Sequence, residues 1–544
     1  MSVDPSVAPF FTVTRRDPDQ SRGVVRFTDA SGGYDEEKAE LYWGDPLTQP
    51  TYYDAQNVNV WDRPGKCFLV SEWTRIGSAE ASDREYLIYP FNVACYRFPT
   101  ANFDASLVQK VTAATGAISA WTAPTNPYAG ATAVRNGVEW RGVFYVASGE
   151  NFLRTVSTAE AWSTLAAPGA VGAAIVGQVG VGIDDKLVVW WEGAGLYTYD
   201  GTTWAKIYPT TAGVIPSDTY CDLIFMGPGS LQFLTRNSSN VTTWREYSVE
   251  PTGTFTASWL AEPGLRVWPQ GGVAHQGESW VVGRLGSHRN VGILYAKAKL
   301  QAPVPIAVLD TNYATTDQRG LDWAWRCMFT VGDVVWIGGS SRQDHNACLF
   351  RFEVDDDGEI INPGATISGL AGPIYSIGLL PYGASGADTT ERIFIAAQKA
   401  TYYKDSDEGS DPTTDASTGF IQWPDIDLGL EDRYKLWADI SGALSEISAD
   451  GHIEFQYRID PTDPSDSWVA IEDTLEPTVF DDTTGIFNSQ APDDDESIGL
   501  TGTRLRMLQI RCVWTRPLSG TARDVLDMVS VKIAGLYDLG SDGT

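Results

Sequence analysis

The chain has 544 residues, a formal net charge of −31, 12% aromatic residues and 53 glycines. This acidity argues against sequence-specific nucleic-acid binding and against adhesion to anionic lipid, since both need a basic surface. No run of 18 apolar residues occurs, so we expect no membrane span. Many aromatic residues together with abundant glycine indicate short strands joined by tight turns.

Residues 1–54 carry no repeat and are interpreted as an N-terminal arm that docks on the body or on a neighbouring chain. Within this arm, Val24–Phe27 is a predicted strand and Glu36–Glu40 a predicted helical turn. Met1–Phe11 lacks a basic segment followed by an apolar core, so the sequence predicts no signal peptide.

Residues 55–415 repeat a strand–turn–strand unit, seen most clearly in Gly195–Trp204, where Asp200-Gly201 predicts a hairpin turn. Equivalent positions are separated by 58, 43, 50, 51, 54 and 50 residues by subtraction; they are Phe98, Val156, Tyr199, Val249, Leu300, Val354 and Lys404. A period of about 51 residues with four short strands in each repeat is typical of a β-propeller. We therefore predict about seven blades, closed by pairing an early strand with the last blade.

Nearly continuous apolar runs recur once in each repeat and are predicted to be the innermost strands, covered on both faces by adjacent blades. They are Phe68–Val70, Phe144–Ala147, Leu187–Trp191, Leu231–Leu234, Trp280–Gly283, Val334–Gly338 and Ile393–Ala397. The best candidates for helices, Ala105–Val111 and Glu431–Lys435, are short. The fold class is therefore predicted to be all-β.

The polar segment Asp405–Gly419 predicts a linker or long loop, after which the strand spacing changes. Residues 416–544 are predicted to form a C-terminal β-sandwich of jelly-roll type. His452–Asp460 alternates strictly, so one face of that strand should be wet. The other predicted strands are Leu436–Ile440, Leu505–Trp514 and Leu526–Ile533.

Two acidic clusters are candidate cation sites. Asp355–Glu359 has closely spaced carboxylates and a glycine, as calcium loops do, but the twelfth position is Thr366, where an EF-hand loop needs glutamate. We therefore favour a hairpin turn there and a solvated loop at Asp493–Glu496. The sequence predicts no catalytic, cofactor-binding or metal-binding residue and no cofactor.

Other residue types point to packing rather than to chemistry. His275, His288, His345 and His452 are isolated, and the six cysteines lack CxxC spacing and are interpreted as buried small hydrophobes. Thr198–Trp204 is similar to the aspartate box of sialidases, which is structural in those enzymes. The tryptophans between residues 190 and 336 could stack on sugars, but packing between blades is favoured. Trp336 is predicted to lie in the core.

The stretch Ala55–Val60, followed by Arg63-Pro64-Gly65, resembles the entry into a Trp-rich β-propeller in tail proteins of tailed bacteriophages, including nozzle proteins. Phe420–Gly429 resembles the start of the sandwich that follows the propeller in many such proteins. The resemblance implies a non-enzymatic virion protein in the tail: a nozzle, a tail-tip protein or a fibre- or receptor-binding component.

The partners implied are other tail proteins, further copies of the chain and a host-surface glycan. The protein would be made in the host cytoplasm. The alternative hypothesis is a carbohydrate-binding or carbohydrate-active β-propeller. A further hypothesis gives the charge a role: carboxylates lining a channel would repel the phosphates of passing DNA.

Overall fold

A computed structural model of the chain describes about three fifths of it. The described residues are 11–14, 22–27, 54–60, 66–77, 86–92, 94–100, 108–112, 122, 134–209, 218–239, 241–249, 257–265, 267–285, 288–310, 326–331, 334–340, 346–354, 360–361, 364–371, 373–380, 391–397, 400–405, 415–423, 434–446, 452–459, 467–470, 486–488, 504–505, 508–518 and 524–537. Their one helical segment is the 3-10 turn Gly169–Val171. No helix in this described part is long and apolar enough to cross a membrane.

The first half of the chain contains strands β1 to β21. They are β1 Phe11–Thr14, β2 Arg22–Phe27, β3 Asp54–Gln56, β4 Val58–Asn59, β5 Phe68–Leu69, β6 Thr74–Arg75, β7 Tyr86–Phe91, β8 Ala94–Pro99, β9 Gln109–Thr112, β10 Asn136–Trp140, β11 Val143–Ala147, β12 Phe152–Ser157, β13 Trp162–Ala166, β14 Val176–Gly182, β15 Lys186–Trp191, β16 Gly195–Tyr199, β17 Trp204–Tyr208, β18 Asp218–Gly227, β19 Ser230–Asn237, β20 Thr242–Val249 and β21 Ala257–Leu265.

The second half contains strands β22 to β41. They are β22 Val267–His275, β23 Glu278–Leu285, β24 His288–Ala298, β25 Val304–Asp310, β26 Cys327–Val331, β27 Val334–Ser340, β28 Asn346–Val354, β29 Ile360–Ile361, β30 Gly364–Ala371, β31 Ser376–Leu380, β32 Arg392–Ala397, β33 Ala400–Asp405, β34 Thr418–Gln422, β35 Tyr434–Glu446, β36 His452–Ile459, β37 Val469–Ala470, β38 Ile486–Asn488, β39 Arg504–Leu505, β40 Leu508–Thr515 and β41 Val525–Tyr537.

The chain divides into two compact units. The propeller unit comprises residues 73–349 and 369–407, and the terminal unit comprises residues 1–72, 350–368 and 408–544. The domain bounds drawn from the sequence, 1–54, 55–415 and 416–544, stay predictions.

The propeller unit is built from a series of antiparallel sheets. Sheets one to five are β7–β8–β9, β10–β11–β12–β13, β14–β15–β16–β17, β18–β19–β20–β21 and β22–β23–β24–β25; sheet six starts β26–β27–β28, and sheet seven is β31–β32–β33–β6. The first strand of each sheet contacts the first strand of the next, and β31 of sheet seven contacts β7 of sheet one. This cyclic arrangement confirms the predicted all-β class with a β-propeller.

The ring is closed by an early strand. In sheet seven, Tyr402 of β33 pairs with Arg75 of β6, and Tyr403 pairs with Thr74. The amide of Ile76 then donates a hydrogen bond of 2.9 Å to the carbonyl of Thr401. A strand that precedes the first sheet thus covers the outer edge of the last one, as predicted, so that edge is not left unpaired.

The predicted innermost strands occupy a different place. Six of the seven apolar runs form the second strand of a sheet, and an earlier strand lies nearer the axis. The adjacent residues Trp190 and Trp191 of β15 show why. Trp190 packs towards Ile224 and Phe233 of sheet four, whereas Trp191 packs towards sheet two, and both are fully buried. A second strand is covered on both faces by its neighbours, which makes its sequence continuously apolar.

The seventh run, Phe68–Val70, is not a blade strand. Its strand β5 pairs with β4 in the terminal unit, and sheet one begins at Tyr86. Both predicted helices are also wrong where the structure describes them: Gln109–Thr112 is β9, and β35 begins at Tyr434. Apolar runs this short do not distinguish helix from strand by periodicity alone.

The predicted repeat is visible in the sheets. Val156, Tyr199, Val249, Val354 and Lys404 lie in the third strand of their sheets. Leu300 follows the third strand of sheet five by two residues, and Phe98 lies in the second strand of sheet one.

The terminal unit contains two larger groups of strands. One has the order β3–β34–β40–β36–β37, and the other has the order β1–β2–β41–β35–β38 with β39 also paired to β35. β2, β35, β36, β40 and β41 cover the strands predicted at Val24–Phe27 and after residue 430. In β36, Ile453, Phe455 and Tyr457 are buried and alternate with the half-buried Glu454 and Gln456, but Arg458 is buried as well, so the strict alternation predicted for this strand holds only over residues 453–457. The jelly-roll sandwich itself stays a prediction.

Candidate functional site: an arginine–aromatic rim on the propeller

The inner strands of the propeller begin at one common end. Gly180 of β14 lies against Ile224 of β18, and Gly271 of β22 lies against Met328 of β26. The amide of Ile88 in β7 donates a 3.0 Å hydrogen bond to the hydroxyl of Ser376 in β31. Gly378, further along β31, lies against Ile88 and Pro90, so β31 and β7 run in the same direction, as inner strands do when every sheet of a propeller has the same strand order. Because pairing within the sheets is antiparallel, each second strand ends where its inner strand begins.

Arginine side chains lie over aromatic rings at this end. The guanidinium carbon of Arg97 is 4.5 Å from the ring centre of Tyr86, and that of Arg284 is 4.2 Å from Trp268. Arg236 lies 5.2 Å from both Tyr220 and Trp268. We call this set, with the next pair, the rim; its members are Tyr86, Arg97, Tyr220, Arg236, Trp268, Arg284, Arg326 and Tyr375.

Strand pairing explains two of these five contacts. Tyr220 is the direct cross-strand partner of Arg236, and Trp268 is the direct partner of Arg284. Such pairs on one face of a sheet bring side chains together. Other contacts join different sheets: Arg236 of sheet four reaches Trp268 of sheet five, and Arg326, just before β26, lies 5.3 Å from Tyr375, just before β31.

Hydrogen bonds hold the guanidinium groups in place. Arg236 donates from Nε to Oδ2 of Asp222 over 2.8 Å and from Nη2 to Oδ1 over 3.0 Å. These bonds raise the pKa of Arg236, against the opposing effect of burial. Arg97 donates to Oε1 of Gln109 from Nε over 2.7 Å. Arg236 and Arg97 are thus planar cations held in a fixed orientation rather than loose side chains.

Part of the rim faces solvent. Tyr220 is 39% exposed, whereas Arg97 and Arg284 are buried. Trp268 and Arg326 are half-buried. Trp268, beside the buried Arg284, therefore remains partly accessible, whereas Tyr86, beside Arg97, is itself buried.

Ion pairs occupy the same end of sheets two and three. Arg154 donates to both oxygens of Glu150, over 2.8 and 2.9 Å, and Arg135 pairs with Glu192. The strands carry both signs of charge at this end: Arg97, Arg135, Arg154, Arg236, Arg284, Arg289 and Arg326 together with Glu150, Glu192, Asp218, Asp222 and Asp310. Three of the arginines, Arg135, Arg154 and Arg236, are paired with Glu192, Glu150 and Asp222.

The rim is suited to recognition. Guanidinium groups and aromatic rings neither accept nor release protons near neutral pH, and arginine, tyrosine and tryptophan are the residue types that dominate protein interfaces. One signal in the sequence pointed to the rim: an arginine follows the apolar run of the second strand, as in Gly283-Arg284. Its aromatic partner, on another strand, carries no such signal.

The Asp200 turn is structural, and the predicted hairpin is present, since β16 pairs with β17 across it. Tyr199 pairs with Trp204, so the loop has four residues. Oδ1 of Asp200 accepts hydrogen bonds of 2.8 Å from the amides of Thr202 and Thr203, and Gly201 has φ of 110°. The hydrogen bonds from Thr203 and Thr202 hold the pKa of Asp200 well below its ordinary value.

The remaining candidates from the sequence divide by burial. Trp190, Trp191, Trp244 and Trp280 are buried, as packing requires, but Trp336 is half-buried, so its predicted core position is wrong. Its neighbours Val335 and Ile337 point into the core instead. His275 is buried with its ring 4.8 Å from that of Trp280.

Asp355–Glu359, Asp493–Glu496 and His345 lie outside the described residues. Within the described part of the chain, no group of three or more histidine, cysteine or acidic side chains could hold a metal ion. The cysteines are all free thiols; Cys67, Cys95, Cys221, Cys348 and Cys512 are buried and Cys327 is half-buried. The expectation that the chain has no catalytic, cofactor or metal residue stays a prediction.

No protein-family model and no curated protein matches the chain. Among solved structures it is similar to virginiamycin B lyase from Staphylococcus aureus (12% identity, 60% of this chain, 97% of that chain, TM-score 0.35). It is also similar to BBS1N in complex with ARL6DN (10% identity, 62% of this chain, 97% of that chain, TM-score 0.39). The computationally designed Ika8 protein is similar too (7% identity, 61% of this chain, 99% of that chain, TM-score 0.36). At these identities and TM-scores the similarity carries nothing about activity, and the propeller class rests on the sheets themselves.

Proposed function

We propose that the chain is a non-enzymatic structural protein of a phage tail that assembles with copies of itself and with other tail proteins. The sequence resemblance at Ala55–Gly65 and Phe420–Gly429 supports the tail location. The single structural observation that supports assembly is the rim, where fixed arginines present partly exposed aromatic rings. The architecture that we propose for this role is a seven-bladed propeller followed by a C-terminal β-sandwich.

The charge distribution suggests the kind of partner. The rim contains four arginines, one of them paired with Asp222, and arginines suit an acidic surface; other copies of this chain, each with a net charge of −31, offer one. Contacts of this type speed association and weaken at high salt. The hypothesis of an acid-lined DNA channel stays a prediction within this proposal.

The tail location is tested by immunogold electron microscopy of purified virions, with antibodies raised against the whole chain. Gold at the tail supports the proposal. Virions that lack the chain would overturn it.

The role of the rim is tested by sedimentation velocity of the purified chain at low and high salt. We expect wild-type association to weaken with salt and Tyr220→Ala to reduce it further, because Tyr220 is the most exposed rim residue. Val304→Ala, on the outer strand β25 and 58% exposed, is the matched control. A chain that stays monomeric at every concentration, or equal association of both variants, would argue against the rim as the contact surface between copies.

A further inference from the structure

A second cluster of arginine and aromatic side chains lies on the terminal unit. It occupies one face of the strands β34, β40, β36 and β37, which pair in that order. The opposite face of β36 and β40 is the apolar core, with Phe455, Ile510 and Cys512 fully buried. By alternation, the polar residues of these strands share the other face.

The centre of this face is Trp468. The guanidinium carbons of Arg458 and Arg511 both lie 4.5 Å from its ring centre. Arg511 also lies 5.6 Å from the ring of Phe420. Trp468 and Phe420 are half-buried, so parts of both rings reach solvent. The two guanidinium groups thus lie on the two middle strands, with Phe420 on the outer strand β34 and Trp468 next to the outer strand β37.

Amide side chains fix the orientation of the two cations. Arg511 donates from Nε to Oε1 of Gln456 over 2.6 Å, and Arg458 donates from Nε to Oε1 of Gln509. Gln456 in turn donates to Glu454. These side chains hydrogen-bond to one another across the face of the sheet, and this network restricts their orientation.

One amide on this face lacks a partner. Gln422 pairs in register with Arg511 and is 2% exposed, yet its Nε2 has no hydrogen-bond partner among the described residues. A buried unsatisfied donor is unfavourable and calls for an explanation, and one explanation is an acceptor supplied by a bound group. An oxygen atom of a ligand beside Arg511 and Gln422 would supply this acceptor.

We propose that this face binds a saccharide that carries a carboxylate. The apolar side of a sugar ring can stack on Trp468, its hydroxyl groups suit the glutamine amides, and its carboxylate suits the neighbouring guanidinium groups. The site is independent of the rim and of the proposed tail location. It also differs from a nucleic-acid site, which the net charge of −31 disfavours.

The test is isothermal titration of the full-length chain with two carboxylated probes, oligogalacturonate and sialyllactose, and with their neutral counterparts, galactose oligomers and lactose. We expect at least one carboxylated probe to bind and its neutral counterpart to bind about tenfold more weakly. Binding of neither carboxylated probe, or equal binding of the neutral ones, would overturn the proposal.

Variants locate the binding. Trp468→Ala should weaken binding by about tenfold, and Trp468→Phe, which keeps a ring, should weaken it less. Arg511→Lys keeps the charge but loses the planar guanidinium group, which can donate two parallel hydrogen bonds to a carboxylate. It should therefore reduce the preference for the carboxylated probe. Trp336→Ala, at a half-buried tryptophan of the propeller unit, is the matched control. Unchanged affinity in folded Trp468→Phe and Arg511→Lys would overturn this placement even if Trp468→Ala failed to fold.

Discussion

Lys297 of sheet five and Glu246 of sheet four form an ion pair whose side chains are 1% and 0% exposed. Glu246 also accepts a hydrogen bond of 2.7 Å from Ser230 Oγ and one of 2.9 Å from the amide of Leu300. Ser230 accepts from Gln232, which in turn accepts from the indole of Trp244. Neither charge reaches water, so each depends on the other and on this network.

Removing one charge of this pair should strongly destabilise the fold. Glu246→Gln or Lys297→Met would leave an uncompensated buried charge, and we expect a loss of about 3–5 kcal/mol in the free energy of unfolding. The exposed pair Arg141–Asp185 is the control: Asp185→Asn, which suits the φ of 51° at this position, should cost less than about 1 kcal/mol. Urea denaturation measures all three variants. Equal small losses at both sites would show that the buried pair contributes no more than the surface pair.

The same carboxylate should make stability depend on pH. Burial raises the pKa of Glu246, but hydrogen bonds from Lys297, Ser230 and Leu300 outweigh it, so the pKa lies below its ordinary value of 4.5. The stabilisation is therefore present above the pKa of the unfolded chain and is lost as pH falls through the folded pKa. We expect the wild-type chain to lose more stability than Glu246→Gln below about pH 4.5. Parallel pH profiles of the two proteins would contradict this.

Substituting a buried tryptophan should destabilise the protein more than substituting a half-buried one. Trp190 is fully buried against Phe233 and Tyr208, whereas Trp336 is half-buried. We expect Trp190→Ala to cost about 3–5 kcal/mol and Trp336→Ala clearly less. Equilibrium unfolding of the two variants tests the difference, and a larger cost at Trp336 would be inconsistent with its exposure.

Closure of the ring depends on Ile76. This residue is 1% exposed and packs with Phe394 and Tyr403 of sheet seven. Ile76→Ala should cost about 2–5 kcal/mol through a cavity at the closing strand. Hydrogen exchange should show faster exchange in β33 than in β23 of sheet five, which serves as the internal control. A uniform increase in both strands would argue that closure is not a local event.

The Asp200 loop should depend on its carboxylate. Asp200→Ala removes the acceptor of the Thr202 and Thr203 amides, so the melting temperature should fall. Asp200→Asn keeps one acceptor oxygen, so its melting temperature should fall less. Glu139→Gln, at an exposed residue of sheet two, controls for the loss of a charge. Identical melting temperatures for Asp200→Ala and Glu139→Gln would show that the loop does not need this residue.

The sequence predicted the repeat but not the position of strands within it. The spacing of Val156, Tyr199 and Val249 reflects one local strand order in each sheet, so it is visible along the chain. The run Leu187–Trp191 shows that both faces are covered, which is true of a second strand as well as of an inner one. The distance of a strand from the propeller axis depends on the closed ring, and no local pattern in the sequence indicates it.

The rim and the buried ion pair could not be predicted in the same way. Arg236 meets Trp268, and Glu246 meets Lys297, across two sheets. Alternation with a period of two gives the face of a residue but not its neighbour in the next blade. The missed exposure of Trp336 has a related cause, because its apolar flanks on the strand belong to the opposite face.

The pairing of Tyr403 with Thr74 also fixes when the ring can be completed during synthesis on the ribosome. The two residues are 329 positions apart (403 − 74), and at ~5–20 residues per second the second follows the first by about 16–66 s. Until then β6 has no partner in sheet seven, and sheet one has sheet two beside it but not sheet seven. The nascent chain must keep an open strand edge from pairing with another nascent chain throughout this interval.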